Sequence, residues 1–188
     1  MTKKRTRVQD RFVDHDLGLA VVEAMVREGL VETDLRVPEL EPEEDDDPDD
    51  ESESWRDRID ETQMAVLAEL RALLDAHADK LPHIEEIDPY LDTIHEEPEQ
   101  CAEVDSLAGI ELCSGLKRLM LDTRNKQLDL TPLTSLPALE ELHLGDVRLR
   151  DLAPLLALPR LKVLTGRIDE VTAAKLRERG VDVDSGKQ

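Results

Sequence analysis

The chain has 188 residues, of which 45 are acidic and 24 basic, and its formal net charge is −21 at pH 7. An acidic chain with 2% aromatic residues and no basic stripe lacks the groups that bind phosphates and stack on bases, so we expect no nucleic-acid partner. No apolar run is long enough to span a membrane, and no apolar stretch follows the basic N-terminus as in a secretory signal, so we expect a cytoplasmic protein of one or two small domains with no membrane partner.

The first predicted element is a helix within an N-terminal helical segment at residues 1–38. Its apolar residues share one face at helical spacing: Leu17, Val21, Ala24 and Met25. Asp14 or Asp16 can cap its start by accepting hydrogen bonds from free backbone N–H groups, and Gly29 suits the left-handed residue that ends it. Residues 12–30 resemble the start of a bacterial domain of unknown function that accompanies repeats in immunity-like proteins.

Residues 39–53 are an acidic tract with eleven carboxylates and no basic residue. Like charges repel one another and little apolar surface offsets the repulsion, so we predict a disordered linker. The excess of acid is localised: residues 1–100 carry 31 acidic and 11 basic side chains, whereas residues 101–188 carry 14 and 13. Such a distribution fits either a solvated spacer or a contact region for a basic partner.

Residues 54–100 are predicted to form a helical region that caps the repeats after it. Ser54 is suited to begin a helix, which should continue to about Lys80 before Pro82 interrupts it. The apolar stripe of this helix consists of Trp55, Ile59, Val66, Leu70, Leu74 and Leu81. A short helix starting at Asp88 would then cover the apolar end of the repeats.

Two histidines among the carboxylates of this region raise the alternative of a metal-dependent enzyme. His83 and His95 lie twelve residues apart, however, and no H-x-x-x-H or H-E-x-x-H spacing is present. Glycine-rich phosphate loops and the G-x-S-x-G nucleophile elbow are also absent from the sequence. We therefore predict no metal, no cofactor and no enzymatic activity.

Within residues 101–188 the sequence repeats itself. Three segments share the pattern L-x-x-L-x-L or its first four positions: Leu116–Leu121, Leu139–Leu144 and Leu161–Leu164. Two links share D-L-x-P-L-x-x-L-P at an offset of 22 residues: Asp129–Pro137 and Asp151–Pro159. Each unit is predicted to be a short strand and a tight return, and the units must stack because one alone cannot bury its leucines. The leucines expected to point inward are Leu119, Leu121, Leu142, Leu144 and Leu164. Leu128, in an irregular turn, is expected to contribute less to stability than Leu142.

These motifs resemble the 22-residue leucine-rich repeats of the internalin and phosphatase-regulator type over residues 104–168. Val104–Leu116 resembles the first repeat of bacterial members. The resemblance implies an α+β fold, in which a short capped solenoid with parallel strands on one face follows a small helical region. Asn125 lies near the usual turn asparagine, but Val147 stands there in the next unit, so no continuous asparagine ladder is expected.

A C-terminal cap is predicted after the last repeat. Asp169 can begin a helix that ends at Gly180, and basic side chains lie near its negative end. Val181–Val183 can add a last strand to the sheet. Residues 101–188 are therefore assigned to the repeats together with this helix and strand.

The side chains flanking the inward leucines are the candidate protein-binding residues: Arg118, Met120, Asp122, Glu141, His143, Asp146, Val163, Thr165 and Arg167. They mix charged with apolar groups, as a protein interface does. We expect a protein partner with a basic surface; the sequence does not indicate an oligomeric state. Two hypotheses stay open: an immunity or inhibitor protein that neutralises a basic toxin such as a nuclease, and a regulatory or structural scaffold subunit without an inhibitory role.

Overall fold

The computed structural model describes residues 12, 14–34, 61–88, 104–121, 123, 127–145, 149 and 151–185. The acidic linker predicted at 39–53, the helix start predicted at Ser54 and the helix predicted after Asp88 fall on other residues.

Three α-helices and five short β-strands make up the described regular structure, which is of the α+β class. The helices are α1, His15–Arg27; α2, Glu61–Ala76; and α3, Glu170–Glu178. The strands are β1, Glu86–Ile87; β2, Arg118–Leu121; β3, Glu141–Leu144; β4, Val163–Thr165; and β5, Asp182–Asp184. Short 3-10 turns lie at Leu81–His83, Ile110–Leu112, Thr131–Ser135 and Ala153–Ala157. Helix α2 ends before Lys80, because the chain turns there and the Lys80 N–H donates to the carbonyl of His77 at 2.8 Å.

The five strands form one parallel sheet whose spatial order, β1-β2-β3-β4-β5, follows the sequence. Leu119, Leu142 and Leu164 are partners in register on β2, β3 and β4, and all three are 0% exposed. Residues two positions apart on a strand share a face, so Leu121 and Leu144 are buried as well. The inward positions predicted from the leucine pattern are confirmed.

The D-L-x-P links form 3-10 turns that lead the chain away from one strand and back to the next. The carboxylate of Asp129 accepts a hydrogen bond from the Thr131 N–H at 2.8 Å, and that of Asp151 accepts one from the Ala153 N–H at 2.9 Å. Hydrogen bonds from Thr131 also lower the pKa of Asp129. The recurring aspartate therefore has the same structural role in both units: it satisfies a free N–H group at the start of a turn.

Strand β1 lies between the two helices predicted within residues 54–100, and the sequence patterns did not indicate it. Ile84 and Ile87 are 0% and 1% exposed, and they have the spacing of Leu116 and Leu119 in the next unit. Ile87 is the register partner of Leu119. The segment forms a strand because its backbone can pair with the edge of β2 and because both isoleucines are buried in the core.

At its start, helix α1 is fixed to the first turn of the repeats by one carboxylate. Asp14 caps the helix by accepting a hydrogen bond from the Leu17 N–H at 2.9 Å. Its second oxygen accepts from the N–H groups of Asp105 and Ser106 at 2.7 and 2.9 Å. Along its length the helix packs its apolar face into the hydrophobic core. The helix residues that are 0% exposed there are Leu17, Val21, Val22 and Met25.

At its end, helix α1 covers the outer edge of β1. The Glu28 carboxylate accepts hydrogen bonds from the N–H groups of Glu85 and Glu86, at 3.0 and 2.9 Å. Arg27 pairs with the Asp88 carboxylate and donates to the Glu86 carbonyl at 3.2 Å. Side chains thus bind the backbone groups that a further strand would bind, which closes this edge of the sheet.

The C-terminal helix and strand are present as predicted. Asp169 accepts a hydrogen bond from the Thr172 N–H at 3.0 Å, and Gly180 follows the end of α3 with a φ of 85°. The guanidinium of Arg179 donates to the carbonyls of Leu156 and Leu158, both at 2.6 Å. These bonds hold α3 against the last 3-10 turn.

Replacing Glu28 with alanine is expected to lower the free energy of unfolding by about 1–2 kcal/mol, because two backbone N–H groups lose a charged acceptor and turn to water instead. Amide exchange at Glu85 and Glu86 should accelerate, while exchange in β3 should change little. Denaturant titration and hydrogen exchange measure these effects. Glu32→Ala is the matched control, since this glutamate is exposed and lies only four residues further along the chain; equal effects of the two changes would contradict the assigned role of Glu28.

Candidate functional site

The strands present their outward side chains in two rows across the sheet. In the first row the register partners run from Glu86 through Arg118, Glu141 and Val163 to Asp182. In the second row they run from Met120 through His143 and Thr165 to Asp184. Neighbouring parallel strands lie about 4.8 Å apart, so side chains within a row are close neighbours.

Six of the nine predicted binding residues are brought together in these rows. They are Arg118, Met120, Glu141, His143, Val163 and Thr165. Arg167 is exposed and lies beyond the C-terminal end of β4, after Gly166. Asp122 and Asp146 lie outside the described residues.

Three of the four charged residues of the first row are joined by ion pairs. Arg118 donates from Nη1 to Glu86 Oε2 at 3.0 Å and from Nε to Glu141 Oε2 at 2.8 Å. These hydrogen bonds, first the one to Glu141, raise the pKa of Arg118. The three side chains are 35–45% exposed, so each bond adds little stability, but the arginine already has two carboxylate partners.

A third line of charges, which we call the rim, precedes the strands. Its members alternate in sign: Glu85, Lys117, Glu140 and Lys162. Lys117 pairs with Glu85 at 2.6 Å and Lys162 with Glu140 at 2.5 Å. The bond from Lys162 lowers the pKa of Glu140. The rim therefore neutralises itself, whereas the group Glu86, Arg118 and Glu141 keeps one negative charge.

Four other outward residues differ from these charges. Among the described residues, none donates to, accepts from or forms an ion pair with the side chains of His143, Thr165, Asp182 or Arg167. Met120, His143, Val163 and Thr165 are half-buried, whereas Asp182 is exposed. We call Met120, His143, Val163 and Thr165 the unpaired patch, with Asp182 at its border. It is available for contacts from outside the chain.

Sequence reasoning did not include Glu86, Asp182 or Asp184 in the site. The spacing Ile84-Glu-Glu-Ile87 repeats that of Leu116-Lys-Arg-Leu119 and could have indicated Glu86. The predicted strand Val181–Val183 could have indicated the two aspartates, since it continues the sheet.

The described residues hold no group of three or more histidine, cysteine or carboxylate side chains placed to bind a metal ion. His83 is exposed at the end of the 3-10 turn Leu81–His83, and His95 is outside the described residues. None of the described helices is long and apolar enough to cross a membrane. The lone described cysteine, Cys113, is buried, and burial raises the pKa of its thiol to about 12.

No protein-family model matches the chain, and no curated protein matches it significantly. Among solved structures, the chain is similar to internalin C2 from Listeria monocytogenes, with a TM-score of 0.42 and 24% sequence identity. The match covers 56% of this chain and 43% of the internalin, so the chain spans less than half of that protein's length. At this level of likeness, the functional assignment depends on the geometry of the two rows of outward side chains, which together we call the strand face.

Proposed function

We propose that the chain is a non-enzymatic protein-interaction module built on a short leucine-rich-repeat solenoid, and that its partner binds the outward strand face. The observation that carries the proposal is the pair of in-register rows, which place charged, polar and apolar side chains side by side. A parallel sheet holds such side chains at fixed spacing, so little conformational entropy is lost when a partner binds. Leucines buried at one register on β2, β3 and β4 and two matching aspartate-capped turns support the repeat architecture.

The partner in this proposal is a protein with a basic surface. The net charge of −21 and its concentration in residues 1–100 create a negative potential that accelerates encounter with a basic molecule. Inhibition of a basic toxin, such as a nuclease, is the role that this charge favours. A regulatory or scaffold subunit is the alternative, and a toxin gene beside the gene for this chain would distinguish the two.

The test is a double change in the second row. Met120→Glu with His143→Glu is expected to abolish capture of the native partner from cell extract, because it places two carboxylates at the centre of the face. Both side chains are only half-buried, so the free energy of unfolding should change by no more than about 1 kcal/mol. Mass spectrometry of the captured proteins and denaturant titration measure the two effects.

The matched control is Val171→Glu with Ala174→Glu on α3. Both residues are exposed and lie on a helix away from the strand face, and the change adds the same two charges. The control should keep the partner. Unchanged capture by the Met120/His143 variant, or equal loss in both variants, would remove the strand face as the binding site.

A further inference from the structure

The strand face is divided by the pairing of its charges. Arg118 donates to both Glu86 and Glu141 in the first row, and the charges of the rim are paired as well. A partner that contacted these groups would have to break existing bonds or desolvate them, and the new contacts would replace interactions already made. Little net affinity is therefore available from this half of the face.

The unpaired patch and its border differ in this respect. Within the described part of the chain, His143, Thr165 and Asp182 have no side-chain partner to give up, and Met120 and Val163 present apolar surface beside them. Removing apolar surface from water is favourable in itself. Contacts made here would add to the free energy of binding without an opposing loss inside the chain.

The carboxylate of Asp182, at the border of the unpaired patch, indicates which kind of partner side chain would bind there. Asp182 is the register partner of Val163, so an exposed carboxylate lies directly beside an apolar side chain. The exposed cation Arg167 lies beyond the C-terminal end of the neighbouring strand β4, where it would repel a second cation. A cationic side chain entering the patch is therefore favoured beside Asp182 and disfavoured toward Arg167.

We propose that the unpaired patch, and not the Glu86–Arg118–Glu141 half, recognises the partner, and that it takes an exposed protein loop with a lysine or arginine next to an apolar residue. The cation binds Asp182 and the apolar side chain covers Val163 and Met120. This inference rests on the proposed function, because it assigns the contact within the strand face.

The probe for this proposal is a display library of random, disulfide-constrained peptides, which mimic exposed loops, selected on the immobilised full-length chain. Selected peptides are expected to pair a lysine or arginine with an apolar residue. Their affinity should fall about tenfold in Asp182→Asn, which removes the charge but keeps the shape, and its dependence on salt should weaken. In Arg118→Gln with Glu141→Gln, which leaves the net charge unchanged, affinity should stay within about twofold.

The outcomes separate this inference from the proposed function. Peptides that lose affinity in the Arg118/Glu141 variant and keep it in Asp182→Asn would overturn the division of the face but leave the strand face as the site. Peptides that bind the Met120→Glu/His143→Glu variant as well as the unchanged chain would overturn both, as would a library that yields no binder. Thermal melting of each variant shows that the fold is retained.

Discussion

Replacing Leu142 with alanine is expected to lower the free energy of unfolding by about 2–5 kcal/mol. Leu142 is 0% exposed on the central strand of the sheet and has Leu119 and Leu164 as register partners on either side. The change removes apolar burial and leaves a cavity that strands held on both sides cannot close. Denaturant titration measures the loss as a lower midpoint at an unchanged slope.

Leu156→Ala is the control for this effect. Leu156 belongs to the 3-10 turn Ala153–Ala157 and is only partly buried against the core, so the same chemical change should cost clearly less. A loss at Leu156 equal to or greater than that at Leu142 would mean that the inward register assigned to the sheet is wrong.

Gly115→Ala should be as damaging, with a loss of about 3 kcal/mol, although it adds only a methyl group. A Cβ atom on Gly115 would lie 2.2 Å from the carbonyl oxygen of Pro82. This distance is far inside van der Waals contact, and the obstacle is backbone, so the Leu81–His83 turn would have to move. Because that turn leads directly into β1, its displacement would also loosen the N-terminal edge of the sheet. Thermal or chemical unfolding measures the loss.

Gly18→Ala makes the same change with the opposite expected sign. Gly18 lies inside α1, and a Cβ atom there would meet side-chain methyl groups of Leu70 and Leu74 at 3.4 and 3.8 Å, which is ordinary contact. Alanine is the better helix former, so we expect a gain of about 0.5–1 kcal/mol. Destabilisation by Gly18→Ala, or tolerance of Gly115→Ala, would contradict the close packing described at these two sites.

The repeated part of the fold was predictable because its signals are local and recur. Each strand from β2 to β4 has leucines at fixed positions, and Asp129 and Asp151 begin turns of the same sequence pattern. The two ends of α3 follow likewise from Asp169 and Gly180, a capping carboxylate and a left-handed glycine. Such features depend on a few neighbouring residues, so a sequence pattern is enough to place them.

Strand β1 was not predictable in the same way. It has two residues, and 32 positions separate Ile84 from Leu116, whereas 23 and 22 separate the corresponding leucines of later units. A strand of this length forms only because β2 is beside it and Glu28 binds its outer edge. Both partners are distant in sequence, so no local pattern reveals them.

The same reason limits the prediction of the site. That Arg118 lies beside Glu141, and Met120 beside His143, follows from the repeat. The second hydrogen bond of Arg118 is made to Glu86, which lies on β1 and could not be placed from the repeat.

Leu128, which was expected to contribute less to stability than Leu142, is 3% exposed and belongs to the core. The unit from Leu116 to Leu139 is one residue longer than the unit from Leu139 to Leu161, but this does not remove Leu128 from the interior.

The two carboxylates that hold α1 also determine when this helix can join the fold. Asp14 binds backbone groups 91 and 92 residues further along the chain, and Glu28 binds groups 57 and 58 residues away. Adjacent strands, by contrast, are joined across one short unit, and contacts between near neighbours in sequence form sooner because less chain entropy is lost in closing the loop. We therefore expect β2 to β5 to assemble first and α1 to dock in a late step, so that during synthesis the N-terminal helix leaves the ribosome early but reaches its final place only after the first repeat has emerged.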